Sequence, residues 1–239
     1  METAIERARN MDASIGERLR AVFEEVRMLN PRFADGVERL ITRLTETGAG
    51  SGAPKVGEQM PHFMLPDDSG NLVSLAELLA KGPVIIAFNR GYWCPYCRVN
   101  TAALAEVHRE AKAVGAEIVA IMPDRQKFTR TLKVDSHAPF PILTDMDNGY
   151  AMSLNLVMWV GAEMQELMPK AGVNVPEAQG NDSYMLPIPA TFVVGTDGRI
   201  TARHVDPDYR KRMEIDELLA VLRGTASGSS LTSRPTAGD

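Results

Sequence analysis

Two buried strands joined through a helix constrain the fold of this chain more than any other feature. Residues 83–89 read PVIIAFN and residues 116–122 read AEIVAIM, and both are continuous apolar runs of strand length. Apolar side chains at helical spacing predict a helix over 95–114 between them. Such a unit requires a right-handed crossover and two parallel strands that are covered on both faces. The sequence therefore predicts an α/β fold.

The rest of the main domain completes a central mixed sheet flanked by helices. The runs ATFVVG (190–195) and RITARHV (199–205) surround an Asp-Gly turn, which predicts an antiparallel hairpin. Shorter elements are predicted from hydrophobic periodicity, as strands at 72–74 and 141–144 and helices at 75–81, 125–134 and 214–223.

An N-terminal helical extension precedes this domain. Residues 3–29 follow the helical period, and a second helix begins after Pro31. This helical hairpin either packs against the chain's own main domain or forms a homodimer interface, and the sequence leaves both open. Residues 47–55, TGAGSGAPK, read as a flexible linker. The predicted organisation is an extension over 1–48, a main domain over 55–223 and a disordered tail over 224–239.

About forty residues before the hairpin form an insertion. The stretch begins as a helix near Tyr150 and carries the run AMSLNLVMWVGAEMQELM. A connection this long tends to be functional or to contain structure of its own. Methionine fills irregular gaps in cores, so core packing is favoured over a cofactor site, and we expect no cofactor.

Charge and leader composition limit the partners. The net charge is −5, which argues against a nucleic-acid surface because phosphate binding needs clustered Lys and Arg. The N-terminus METAIERARNMDASIGER lacks the apolar region of a signal peptide, and no run is long enough to span a membrane. We expect a soluble, cytoplasmic protein that acts on small molecules or proteins.

The only two cysteines lie in the motif Trp93-Cys94-Pro95-Tyr96-Cys97, between the first buried strand and the next helix. The unpaired N–H groups at a helix N-terminus stabilise a thiolate and lower thiol pKa values in such motifs. Position therefore predicts Cys94 as the nucleophile and Cys97 as the thiol that attacks whatever Cys94 becomes. Arg90 and Arg98 add positive charge on either side.

Two other interpretations of the cysteines are weaker. A permanent disulfide is unusual in a reducing cytosol. A zinc site needs four ligands, and His108 is separated from Cys94 by fourteen helical residues, about 21 Å. Redox chemistry is favoured, and no metal is expected.

These residues give the chain a resemblance to a known family. From about Lys55 to Arg223 it resembles the thioredoxin superfamily, specifically the peroxiredoxin-like branch of the alkyl hydroperoxide reductase and thiol-specific antioxidant family. The resemblance is carried by PVIIAFNRGYWCPYC, by IPATFVVGTDGRI and, more weakly, by HVDPDYRKR. It implies a thioredoxin fold with the active site at the strand-to-helix junction and a cis-proline beside the cysteines. We therefore predict that Ile188–Pro189 is cis and faces the cysteine pair.

The chain departs from the family pattern at several positions. Peroxiredoxins carry Pro-x-x-x-Thr-x-x-Cys, and alignment from the preceding strand places their peroxidatic cysteine on Cys97, with Arg90 at the proline and Cys94 at the threonine. Alignment on Cys94 instead puts Ala87 and Gly91 at those positions. Pro189 replaces the family's late-strand arginine, so Arg90 or Arg98 is expected to substitute for it. Further candidate thiolate-stabilising or substrate-binding residues are Trp93, Pro189 and Thr191.

Three functional hypotheses follow. The first is a thiol peroxidase that converts a thiolate to a sulfenic acid and then to a Cys94–Cys97 disulfide, which a thioredoxin-like dithiol reduces. The second is a thiol:disulfide oxidoreductase that uses the same residues on a disulfide substrate. The third is a non-catalytic, redox-sensing dimerisation module.

Overall fold

The computed structural model describes residues 1–228. The helices are α1 (Glu2–Arg9), α2 (Ile15–Leu29), α3 (Pro31–Glu46), α4 (Leu75–Leu79), α5 (Pro95–Glu106), α6 (His108–Ala113), α7 (Gln126–Asp135), α8 (Gly149–Ser153), α9 (Ala162–Lys170), α10 (Val175–Gln179) and α11 (Ile215–Gly228). The strands are β1 (Met64–Pro66), β2 (Leu72–Ser74), β3 (Val84–Phe88), β4 (Glu117–Met122), β5 (Ile142–Thr144), β6 (Val157–Trp159), β7 (Met185–Pro187), β8 (Ala190–Val194) and β9 (Ile200–Val205).

A five-stranded mixed sheet in the order β5-β4-β3-β8-β9 forms the centre of the fold. Strands β3, β4 and β5 run parallel, whereas β8 is antiparallel to β3 and to β9. Every residue of β3 and β8 is buried, because helices and loops cover both faces. The predicted α/β class, the parallel unit and the hairpin are confirmed.

Strand β3 ends at Phe88 and helix α5 begins at Pro95, so the cysteine motif lies at the carboxyl edge of the sheet. The helix predicted over 95–114 is divided at Val107 into α5 and α6. This division lies more than two turns beyond the motif and leaves the junction as predicted.

The N-terminal extension contains three helices instead of the predicted two. The first predicted helix is interrupted before Ser14, whose side chain accepts a hydrogen bond from the Glu17 N–H while the Glu17 carboxylate accepts one from the Ser14 N–H. Apolar side chains of α1, α2 and α3 join the same buried cluster as both cysteines. The extension therefore packs against its own main domain, and the homodimer interface remains a prediction.

The segment predicted as a flexible linker is instead a series of packed turns. Ala53 is buried, and the guanidinium of Arg203 donates to the carbonyls of Ala53 and Pro54 at 2.8 and 2.7 Å. The Asn155 amide donates to the Gly52 carbonyl at 3.1 Å. Small residues let the chain turn closely against the main domain here, which composition alone does not distinguish from mobility.

The Met-rich insertion has structure of its own. It comprises α8, β6, α9, α10 and β7, and β6 pairs antiparallel with β7. Met158, Met164 and Met168 are buried, which confirms core packing for these three, whereas Met152 of the same run is exposed. At the far end, α11 continues five residues beyond the predicted limit at Arg223, and the rest of the predicted disordered tail lies outside the described residues. Within residues 1–228, no helix is long and apolar enough to cross a membrane.

Gly82 sets the start of the parallel unit, because a Cβ atom there would lie 1.9 Å from the Gly115 carbonyl oxygen. We expect Gly82→Ala to lower the free energy of unfolding by about 1–3 kcal/mol, since backbone must move to relieve the overlap. Gly224→Ala is the control, because that helical glycine has open space and should gain up to about 1 kcal/mol. Urea denaturation measures both, and equal effects would contradict the steric argument.

Candidate active site

Both cysteines lie at the N-terminus of α5 and are fully buried as free thiols. Cys94 is the N-cap residue, Pro95 follows at the first helical position, and Cys97 lies within the first turn. Proline fits there because it has no N–H to leave unpaired. The predicted strand-to-helix position of the motif is confirmed.

The sulfur of Cys97 receives two donors. The backbone N–H of Arg90 lies 3.3 Å from Cys97 Sγ, and Nη2 of Arg212 lies 3.6 Å from the same atom. Cys94, in contrast, makes no side-chain capping hydrogen bond with the helix. The positive and polar groups of the junction are therefore directed at the second cysteine of the motif.

The two thiols consequently differ in acidity. Burial raises the pKa of Cys97, but the hydrogen bond from Cys94, the charge of Arg212 and the Arg90 N–H outweigh it and lower the pKa to about 6. Burial raises the pKa of Cys94, and its hydrogen bond to Cys97 and the negative charge of Cys97 raise it further. The positive charges of Arg90 and Arg212 lower the pKa of Cys94, but they do not offset these effects. The prediction that position gives Cys94 the low pKa is therefore not supported.

Arg90 is a buried cation packed against two aromatic rings. Its guanidinium carbon lies 3.7 Å from the centroid of Tyr209 and 5.1 Å from that of Trp93. Arg90 Nε and Trp93 Nε1 are buried without a hydrogen-bond partner among the described residues. Both predicted residues thus leave unpaired donors beside the cysteines.

Tyr209 and Arg212 come from the connection between β9 and α11, which sequence reasoning did not assign to the site. In their loop, the Asp206 carboxylate accepts a hydrogen bond from the Asp208 N–H at 2.8 Å. Nη1 of Arg212 donates hydrogen bonds to the backbone carbonyls of Tyr209 and Lys211. The available signal was the segment HVDPDYRKR, in which two aspartates of turn character precede the cation.

Arg98 does not contact either sulfur. Its guanidinium donates to the two Glu2 carboxylate oxygens at 2.6 and 2.8 Å and to Asp135 Oδ2 at 3.1 Å. Arg98 therefore fastens α1 to α5 and α7, and its predicted role as a thiolate-stabilising residue has no support.

The prediction of a cis bond at Ile188–Pro189 is wrong, because residues 1–228 contain no cis peptide bond. Strand β7 pairs with β6, and the Ile188 N–H donates to the Leu156 carbonyl, so the chain enters β8 extended instead of through a tight turn. Pro189 is buried and immediately precedes Ala190, the register partner of Phe88 at the end of β3. Thr191 is buried in β8 opposite Ala87, within the sheet.

Asp124 is a second residue that the sequence did not reveal. Its Oδ2 accepts the Tyr92 N–H at 2.8 Å, and its Oδ1 is buried without a partner among the described residues. Burial raises the pKa of Asp124 to about 7, and the charge of Cys97 contributes to this rise. The hydrogen bond from the Tyr92 N–H lowers the pKa but does not offset the effect of burial. A Cβ at Gly91 would lie 2.9 Å from Asp124 Oδ1 and 2.4 Å from Trp93 Nε1, so the motif loop approaches this carboxyl only through glycine.

A cavity of about 540 Å³ opens beside the motif and includes Cys94 in its wall. The main domain contributes charged and aromatic side chains to this wall, and α1, α2 and α3 contribute apolar ones. No group of three or more His, Cys, Asp or Glu side chains within residues 1–228 is arranged to hold a metal. The arrangement provides a polarised dithiol next to a space of small-molecule size.

Comparisons with known proteins agree with this chemistry. The model of the AhpC/TSA family matches residues 56–203. The thiol-disulfide oxidoreductase ResA of Halalkalibacterium halodurans is 28% identical over 151 residues, which are 63% of this chain and 68% of ResA. The putative peroxiredoxin bcp of Coxiella burnetii is 31% identical over 94 residues, which are 39% of this chain and 62% of that protein.

Among solved structures, peroxidoxin BcpB from Mycobacterium tuberculosis is similar with a TM-score of 0.55 at 22% identity, over 71% of this chain and 97% of that one. This likeness confirms the predicted thioredoxin-type α/β fold. The family match leaves residues 1–55 outside its limits.

The Arg212 contact predicts a shift in thiol acidity. We expect Arg212→Met to raise the pKa of Cys97 from about 6 toward the ordinary thiol value of about 8.5, because the nearest cation is removed. Ultraviolet absorbance of the thiolate against pH measures this change. Lys211→Met removes an exposed neighbouring charge and is the control, and equal curves for the two variants would contradict the assignment.

The burial of Asp124 predicts a pH-dependent stability. Its pKa is raised in the folded state, so the folded protein binds the proton more tightly, and stability falls as pH rises from about 4 to about 7. Asp124→Asn should remove up to about 4 kcal/mol of this decline. Urea unfolding at several pH values tests it against the exposed Asp12→Asn variant, and parallel pH profiles for the two would contradict it.

Proposed function

Because this chain belongs to the AhpC/TSA family and is an oxidoreductase, we propose that it is a thiol peroxidase in which Cys97 reduces hydroperoxides and Cys94 resolves the product. The observation that carries this proposal is the pair of donors on Cys97 Sγ, the Arg90 N–H and the Arg212 guanidinium. The thiolate is the reactive form of a cysteine, and these donors favour it at neutral pH.

The reaction proceeds in two balanced steps. The Cys97 thiolate attacks the terminal oxygen of the hydroperoxide, the O–O bond breaks, and the departing alkoxide takes a proton and leaves as an alcohol or water. Cys97 is then a sulfenic acid. The Cys94 sulfur attacks it, water leaves, and a Cys94–Cys97 disulfide forms, which an external dithiol reduces by exchange.

Arg90 and Trp93 take the place of the family's late-strand arginine in stabilising the charge that develops on the oxygen atoms of the hydroperoxide. The buried Arg90 cation and the unpaired donors Arg90 Nε and Trp93 Nε1 border the cavity that receives the substrate. Prearranged donors of this kind stabilise the charge that develops on the leaving oxygen. The position of Cys94, three residues before the nucleophile, corresponds to the threonine of the peroxiredoxin pattern.

A thiol:disulfide oxidoreductase is the second candidate. It is favoured by the C-x-x-C spacing, by the proline before β8, and by the position of Cys94 in the cavity wall. In that reaction Cys94 forms a mixed disulfide and Cys97 resolves it. For either function, we propose that the protein is cytoplasmic and that a thioredoxin-like dithiol is its reductant.

Single-cysteine variants separate the two mechanisms. With hydrogen peroxide, Cys94→Ser should form a stable sulfenic acid on Cys97 that dimedone traps, whereas Cys97→Ser should lose the fast reaction by a factor of about 100 or more. Both variants should lose multiple turnover. The wild-type protein should form an intramolecular disulfide, measured as a loss of two hydrogens per chain by mass spectrometry.

The opposite result identifies the alternative. Fast oxidation of Cys97→Ser together with inert Cys94→Ser would make Cys94 the nucleophile. Insulin reduction with dithiothreitol provides the parallel assay, and turnover of insulin without turnover of any hydroperoxide would support the disulfide oxidoreductase instead.

A further inference from the structure

The cavity beside Cys94 is divided between two parts of the chain. The main domain contributes Cys94, cationic and aromatic side chains that include Arg90, Trp93, Tyr96 and Tyr209, and the segment 170–173 of the insertion. The N-terminal helices contribute mostly apolar side chains, among them Ile5, Phe23, Val26, Phe33, Ala34 and Val37, together with Glu2. We call this space the substrate chamber. The part of its wall that comes from the N-terminal helices lies outside the part of the chain that matches the AhpC/TSA family.

The first helix is held over the chamber by specific contacts. Arg98 binds both carboxylate oxygens of Glu2, and Nη1 of Arg9 donates to the Asp135 carbonyl at 2.8 Å. Ile5 and Ala8 are buried beneath this helix. Contacts at both of its ends therefore attach α1 to the main domain, and we call the three N-terminal helices the cover. Both sulfurs are fully buried.

One side of the chamber offers polar donors and the other offers apolar surface, so a molecule with one polar and one apolar end fits between them. The main-domain side offers buried donors, Arg90 Nε and Trp93 Nε1, that have no partner among the described residues. The helical side offers hydrocarbon and aromatic surface, to which the partly buried rings of Phe23 and Phe33 contribute. A molecule with a polar O–O group and a compact apolar group satisfies both sides, whereas hydrogen peroxide uses only the first.

We propose that helices α1, α2 and α3 are the specificity-determining element of this protein, and that they select hydroperoxides carrying a compact apolar group over hydrogen peroxide and over protein disulfides. The inference rests on the proposed peroxidase function. Burial of the apolar group against the cover positions the O–O bond toward the cysteines, and the volume of about 540 Å³ suits a small molecule. Because both sulfurs are fully buried, a folded protein does not reach them in this conformation. The alcohol leaves with its apolar group, and the oxidation of the two thiols balances the reduction of the peroxide.

The test compares kcat/KM for cumene hydroperoxide and for hydrogen peroxide. Wild-type protein should prefer cumene hydroperoxide by about tenfold or more, the range that one well-placed apolar group supplies. Ala34→Leu fills the chamber and Phe33→Ala removes part of its wall, and each should lower this preference about tenfold. Met28→Ala changes an exposed apolar side chain of α2 outside the chamber and should keep the wild-type ratio.

A binding measurement makes the inference independent of turnover. Cumyl alcohol, which cannot be reduced, should change the fluorescence of Trp93 in the reduced protein, and Ala34→Leu should weaken this binding about tenfold. Circular dichroism verifies that each variant is folded, and Phe33→Ala alone carries the test if Ala34→Leu does not fold.

Two results would overturn the inference, and they are distinguishable. If both hydroperoxides oxidise Cys97 but the ratio is the same in wild type, Ala34→Leu and Phe33→Ala, the cover does not select substrates and the peroxidase function stands. If neither hydroperoxide oxidises Cys97, the proposed function itself fails and the inference fails with it.

Discussion

A thiolate enclosed by protein must be compensated by nearby charge and hydrogen bonds, and this requirement organises the site. Cys97 has no contact with solvent, so burial alone opposes its ionisation. The chain supplies the Arg212 guanidinium and the Arg90 N–H at the sulfur, and the buried Arg90 side chain packs against two aromatic rings. These groups come from the loop between β3 and α5 and from the loop after β9, so the site depends on the sheet that brings these two loops together.

The same arrangement separates the tasks of the two cysteines. The sulfur of Cys97 accepts the hydrogen bonds, whereas Cys94 lines the cavity. Because the thiols interact, the negative charge on Cys97 raises the pKa of Cys94 and keeps its proton in place. Asp124 adds a further buried acid whose ionisation is opposed by the same charge, so protonation in this region involves three groups together.

The local sequence pattern was sufficient to predict the central sheet, but it did not predict which residues surround the two cysteine sulfurs. The runs at 83–89 and 116–122 predicted the parallel unit because burial on both faces leaves a continuous apolar signature, and the motif's place between them followed. Arg212 and Asp124 were missed because they approach Cys97 only through tertiary contacts more than twenty residues away along the chain. The error at Pro189 arose from a family analogy, whereas the pairing of β7 with β6 sets the local backbone.

The ion pair that fastens α1 has a consequence for how this helix responds to the solution around it. The Glu2–Arg98 pair that closes the cover has one partner well exposed to solvent, so dissolved salt screens it more than the buried contacts beneath it. Higher ionic strength is therefore expected to weaken this contact between α1 and α5, while the burial of Ile5 and Ala8 is unaffected by salt. In this way the dissolved salt of the surroundings acts on the attachment of the first helix, at the edge of the cavity that contains Cys94.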